Sequence, residues 1–168
     1  MGLLGGAILG LSGARIGGAL EDKMAKGLPA DELFVYEDAL RKGRSVLIAF
    51  PDKDAADSTQ QVMRAAGAET IDAARKQWWI GLRSAEKEHY ASPGRTFEQD
   101  EDFYRRGFQA ALHAKNRCRE YDQVRAEMQT ELEELQRQYP NADVENPIRH
   151  GFERGAAHYQ DLCRNGSQ

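Results

Sequence analysis

The chain has 168 residues, enough for one domain or for two small helical or α/β units. Its 23 Lys and Arg against 27 Asp and Glu give a net charge of −4, which argues against a general nucleic-acid binder, whose affinity rests on cationic neutralisation of phosphates. Two cysteines, Cys118 and Cys163, are too few for a disulfide scaffold, so the expected compartment is the reducing cytoplasm.

Residues 1–20 hold seven of the sixteen glycines and a single charge, Arg15. Gly2, Gly6 and Gly10 recur every four residues, and Gly13 and Gly17 repeat that spacing. On a helix this glycine-zipper pattern makes a stripe almost without side chains, against which another helix can lie closely. The uncharged run ends at Ala14, short of the ~20 apolar residues a membrane span needs. No positive region precedes it, as a secretory signal would require. A peripheral membrane contact and a packing face in a soluble core or oligomer fit this segment equally.

Gly27-Leu28-Pro29 breaks the segment. Asp31 and Glu32 favour a helix start, with Leu33, Tyr36 and Leu40 on one face, and Gly43 is placed to end that helix in a left-handed cap. The apolar run Ser45–Phe50 predicts a buried strand that Pro51-Asp52 ends. An amphipathic helix over 53–66, with Ala56, Val62 and Met63 inward, closes at Gly67, and Glu69–Asp72 predicts a second short strand. Gln77–Tyr90, containing Trp78 and Trp79, predicts a helix or a helical connector, and Ala91-Ser92-Pro93-Gly94 a linker. At least one of the tryptophans is expected to pack against the preceding unit rather than at a membrane interface.

Beyond the linker, helices are expected near 101–117, 122–138 and 147–164, the last with Asn146 as N-cap and Pro147 at its first position. Val124, Met128, Leu132 and Leu135 form an apolar stripe on the middle one. Tyr104-Arg105-Arg106-Gly107-Phe108 is echoed by Ile148-Arg149-His150-Gly151-Phe152, each followed by small residues. The echo predicts two helices meeting closely through glycine and alanine faces, each with a Phe anchor and an outward Arg.

The chain resembles the YflT-type heat-induced (general stress) protein domain family. The resemblance runs through the Gly-rich apolar segment, Gly27-Leu28-Pro29, the acidic helix with Tyr36-Glu37 and Leu40, Lys42-Gly43 into the apolar run, Ala66-Gly67-Ala68 and Ile71-Asp72. His89-Tyr90 and the two Arg-X-Gly-Phe segments look like the helical tail that follows such domains. Domains of this kind begin with a β-α-β half ahead of the Gly-rich part, whereas Met1 here lies within that part. The resemblance implies a stress-associated, membrane-linked or structural role without known catalytic residues.

The expected fold is therefore α+β and predominantly helical: a Gly-rich helix over 1–27, a small α-β-α-β, half ferredoxin-like unit over 28–76, and a helical tail over 77–168 with a linker near 91–96. Two strands with bare edges, and a glycine face needing a partner, point to self-association, most simply a dimer. No nucleophile motif, phosphate loop or dinucleotide fingerprint is present, so neither catalytic nor cofactor-binding residues are assigned. Glu86 and His89 have the i, i+3 order of a di-iron site, but His150 and Glu153 reverse it, and no metal ligands are assigned. If the last three helices alternate in direction, Cys118 and Cys163 fall near one end, although two reduced cysteines are the stronger expectation. The expected function is a non-enzymatic, stress-associated structural or interaction protein that meets membrane surface through its Gly-rich start. A ferritin-like metal or redox protein and a soluble homo-oligomeric scaffold are the alternatives.

Overall fold

The computed structural model of the chain describes residues 32–91 and 94–165. The expected Gly-rich helix, with Gly2, Gly6, Gly10, Gly13 and Gly17, lies outside the described residues. Two compact units divide within one long helix, between Ser84 and Ala85. The first contains α1 (Leu33–Arg41, from Phe34 onward), α2 (Ala56–Ala65) and most of α3 (Ile71–His89). The second contains the end of α3, then α4 (Phe97–Leu112), the short α5 (Tyr121–Val124), α6 (Gln129–Gln138) and α7 (Glu145–Asn165).

In the first unit, α1 and α2 end in the same way. Gly43 (φ 71°) donates to the Leu40 carbonyl at 3.0 Å and Arg44 to Ala39 at 2.9 Å. Gly67 (φ 85°) donates to Arg64 at 3.0 Å and Ala68 to Met63 at 2.9 Å. Both are Schellman closures, and glycine occupies the left-handed position of each without the Cβ penalty. Trp78 and Trp79 are both buried, Trp78 with its ring 4.8 Å from that of Phe34. Met63 is half-buried as expected, but Val62 is 68% exposed.

The expected α+β, half ferredoxin-like unit is not what forms: no strand occurs among the described residues, and the architecture is all-helical. The run read as a second strand, Glu69–Asp72, is a helix start. Thr70 Oγ accepts from the Ala73 N–H at 3.2 Å, and the Ala74 N–H reaches the Thr70 carbonyl at 2.9 Å. Thr70 thus caps α3, and the helix formers after Ile71 carry it forward. Once 69–72 is helical, Ser45–Phe50 has lost its intended partner. Apart from an isolated β-bridge at Leu47 it runs without regular structure, and with Leu47 and Phe50 exposed it is not the buried strand expected.

The second unit is built on α4 against α7, and there the repeated motif takes effect. A β-carbon on Gly107 would lie 1.9 Å from the Ile148 carbonyl oxygen, and one on Gly151 would lie 1.9 Å from that of Tyr104. Gly155 continues the contact, its β-carbon position being 2.4 Å from the Phe108 oxygen. The helices touch backbone to backbone, as the echo predicts. Phe108 and Phe152 are fully buried beside the crossing; Arg106 is exposed, but the echoed Arg105 and Arg149 are only half-buried, Arg149 lying 4.5 Å over the Tyr121 ring.

The stripe Val124, Met128, Leu132 and Leu135 is buried as expected and joins Phe103, Tyr121, Val144, Ile148 and Phe152 in one core cluster. The single helix expected over 122–138 is instead two, α5 and α6, with turns over 125–128. Arg125 and Met128 keep right-handed helical backbone across the break, so the stripe stays in phase. The last helix starts two residues before Pro147, where the Asp143 carboxylate accepts from the Asn146 N–H at 3.2 Å; Asn146 is not the cap.

The glycine crossing makes opposite demands on glycines elsewhere. Gly107→Ala or Gly151→Ala forces backbone apart, and each is expected to destabilise the protein by about 3 kcal/mol, the upper part of the range for overfilling a packed core. Gly81, in α3, has open space where a β-carbon would go. Gly81→Ala is expected to stabilise by up to about 1 kcal/mol through helix propensity. Urea unfolding of the three variants checks both signs.

Candidate functional site

The chemistry-bearing side chains of the second unit gather around two buried carboxylates. Glu86, 2% exposed, lies one turn before the end of α3. Tyr104 of α4 donates its hydroxyl to Glu86 Oε2 at 2.7 Å. Arg154 of α7 clasps the same carboxylate in bidentate fashion, Nε to Oε2 at 3.0 Å and Nη2 to Oε1 at 2.8 Å. Both carboxylate oxygens are engaged, and three helices are tied at one point.

Asp100, fully buried in the first turns of α4, forms the second centre. Arg95 donates from Nε at 2.8 and 2.7 Å and from Nη2, while the Tyr90 hydroxyl donates to the other oxygen. Asp100 thereby holds the residue after α3, the connection, and α4 together. The start of α4 is fixed further by the Gln99 side chain, which accepts from the Thr96 N–H at 2.9 Å. Tyr90, Phe97 and Tyr104 bridge the two centres edge to face, with centroids 5.5 to 5.6 Å apart.

Burial pushes the Glu86 carboxyl up, but the hydrogen bonds from Arg154 and Tyr104 outweigh it and hold the group below the usual carboxylate range. Asp100 behaves alike: burial raises it, and the bonds from Arg95 and Tyr90 bring it below its ordinary value. Burial and the Glu86 carboxylate push the Tyr104 hydroxyl far up. A buried acid held ionised and a phenol held neutral are set for structure; a general acid needs its pKa moved towards neutrality.

The sequence-expected candidates are dispersed. Glu86 is committed to Arg154 and Tyr104, while His89 is exposed. No group of three or more His, Cys, Asp or Glu among the described residues is arranged to hold a metal ion. Two further histidines of the second unit, His113 and His158, are half-buried, and the His158 ring sits 5.5 Å from Phe108 at the edge of the core. Cys118 and Cys163 are both exposed and form no disulfide.

The ion pairs escaped the sequence reading because Glu86 and Arg154 stand 68 positions apart. Asn116 was also missed. Its side-chain amide, 3% exposed, donates to the Ala110 carbonyl at 2.7 Å and so closes the end of α4. The Asn116 Oδ1 and the buried Tyr121 hydroxyl have no hydrogen-bond partner among the described residues.

No helix among the described residues is long and apolar enough to cross a membrane. No family model matches the chain, and neither does any curated protein or solved structure.

Because Glu86 and Asp100 titrate lower folded than unfolded, the unfolded chain binds more protons in acid. Their stabilisation is fully present above the ordinary values of 4.5 and 3.8, and is lost as pH falls through the lower folded values. Glu86→Gln is expected to cost about 2–3 kcal/mol at pH 7, below the range for a fully buried pair because Arg154 is partly solvated. The variant's stability should also fall less steeply between pH 5 and pH 3 than the wild type's. Urea midpoints across that range check it; parallel acid slopes would remove Glu86 as a source of acid sensitivity.

Proposed function

We propose that this chain is a non-enzymatic structural or interaction protein of the cytoplasm that self-associates and meets membrane surface peripherally through its Gly-rich start. The observation that carries the reading is the use of the buried polar groups. Glu86 and Asp100, the two buried acids among the described residues of the second unit, are saturated by arginine and tyrosine and held ionised, so the chemistry concentrated there braces helices. The glycine spacing over residues 2–17 supplies the surface for close approach. The stress association rests on the resemblance to YflT-type domains alone. A cytoplasmic setting fits two exposed cysteines that form no disulfide.

Flotation with phosphatidylcholine–phosphatidylglycerol vesicles and light scattering of the full chain test this reading. The wild type is expected to float in part and to scatter at about twice its 18.8 kDa mass. Gly10→Leu and Gly17→Leu, which fill the bare face, should disrupt assembly or lipid association, read as a fall in mass toward one chain or a loss of flotation. A chain that oligomerises but never floats is the soluble scaffold, and the membrane half of the proposal fails. A monomer that ignores vesicles removes the proposal entirely.

A further inference from the structure

A cavity of about 370 Å³ opens in the second unit beside the break between α5 and α6. Ala110, near the end of α4, forms its apolar floor with Val124 and Met128, all three buried. The short helical turn Ala114–Asn116 makes another wall. The void lies where two helices stop, α4 giving way to that turn and α5 to the turns over 125–128. Its size falls within the range of small-molecule sites, which join an apolar lining to a few placed polar groups.

Asn116 supplies the polar group. Its side chain is 3% exposed, and its Nδ2 is committed to the Ala110 carbonyl at 2.7 Å. Its Oδ1 is buried and has no hydrogen-bond partner among the described residues. An acceptor taken from water without a donor in exchange is costly, and folded proteins hold few of them. The rim is charged, but its charges answer one another. Glu127 meets Arg119 at 2.7 Å and Lys115 at 3.8 Å, and Glu131 meets Arg106 at 3.4 Å. The lining therefore offers an apolar floor and one open acceptor, and calls for no ion.

We propose that this cavity binds a small neutral molecule with an apolar ring and an N–H or O–H donor, indole and phenol being simple members of the class. The ring lies on Ala110, Val124 and Met128, and the donor reaches Asn116 Oδ1. That oxygen is closed to water in the unliganded chain, so binding includes a swing of the Asn116 amide towards the void. The hydrogen bond gained there separates such a ligand from a plain hydrocarbon of the same shape. The site lies wholly within the second unit and depends neither on self-association nor on membrane contact.

The test titrates the full chain with indole by calorimetry and follows the Met128 methyl and the Asn116 side-chain amide by nuclear magnetic resonance. Indole is expected to bind and to shift both signals. N-methylindole, with the same rings and no N–H, is expected to bind about tenfold more weakly. Ala114→Phe, at a half-buried position of the lining, fills the void and should weaken indole binding at least as much, with helicity by circular dichroism unchanged.

Equal affinity for the two compounds shows that Asn116 reads no donor and overturns the ligand class. Binding that leaves Met128 and Asn116 unshifted puts indole elsewhere on the chain and overturns the site. Absence of binding at millimolar indole overturns both and leaves the Asn116 oxygen to a bound water. Should Ala114→Phe lose helicity, the two compounds and the two signals decide on the wild-type chain.

Discussion

The carbonyl oxygens of Tyr104 and Ile148 occupy the space that a β-carbon on Gly151 or Gly107 would need, and the separation they impose between α4 and α7 governs the rest of the second unit. Tyr104 links the crossing to the polar centre. Its backbone oxygen meets Gly151, while its hydroxyl reaches Glu86. Arg154, three residues beyond Gly151 on the same helix, reaches that carboxylate with two parallel bonds. A bidentate clasp tolerates little displacement, so it can close only if the helices stay as near as the glycines allow. Close approach in turn places Phe108 and Phe152 in the interior.

The two buried carboxylates show how such a unit tolerates charge in its interior. Each is desolvated, and each is compensated by a guanidinium and a phenol rather than by one partner. Their guanidiniums remain partly in water, with 28% of the Arg95 side chain and 34% of the Arg154 side chain exposed. That limits the desolvation penalty, because only one ion of each pair is fully taken from solvent. The hydrogen-bond geometry also favours arginine over lysine at both sites, since an ammonium cannot present two parallel N–H groups to a carboxylate.

What could be read from the sequence was what local geometry dictates. Gly43 and Gly67 were legible as helix ends because a left-handed residue at that point is nearly always glycine. The Val124–Leu135 stripe survived a break in its helix, since burial follows the spacing of apolar residues and not the continuity of hydrogen bonds. The echoed Gly-Phe motifs were legible as a close helix contact, but not the ion pairs around them, which join residues with no sequence relation. The strands were misread for a specific reason. A four-residue apolar-polar run such as Glu69–Asp72 has too little length to separate strand from helix, and the deciding signal was Thr70 acting as a cap ahead of a run of helix formers. Glu86 was noticed for its spacing to His89, whereas its partners lie on two other helices.

The glycine crossing also bears on the order in which the second unit can fold. Gly107 meets residue 148 and Gly151 meets residue 104, so the contact closes a loop of some forty residues that contains α5 and α6. Closing it has an entropic cost that grows only slowly with length, about 0.6 kcal/mol per doubling. Because glycine has no side chain to gather apolar contacts ahead of time, the crossing rewards the chain only once both backbones have arrived. Tyr121, Val124, Leu132 and Leu135 are the residues inside the loop that share a core with Phe103 and Phe152. Burying them against Phe103 and Phe152 is the apolar gain that offsets the cost of closing the loop, a gain the bare glycine faces cannot supply.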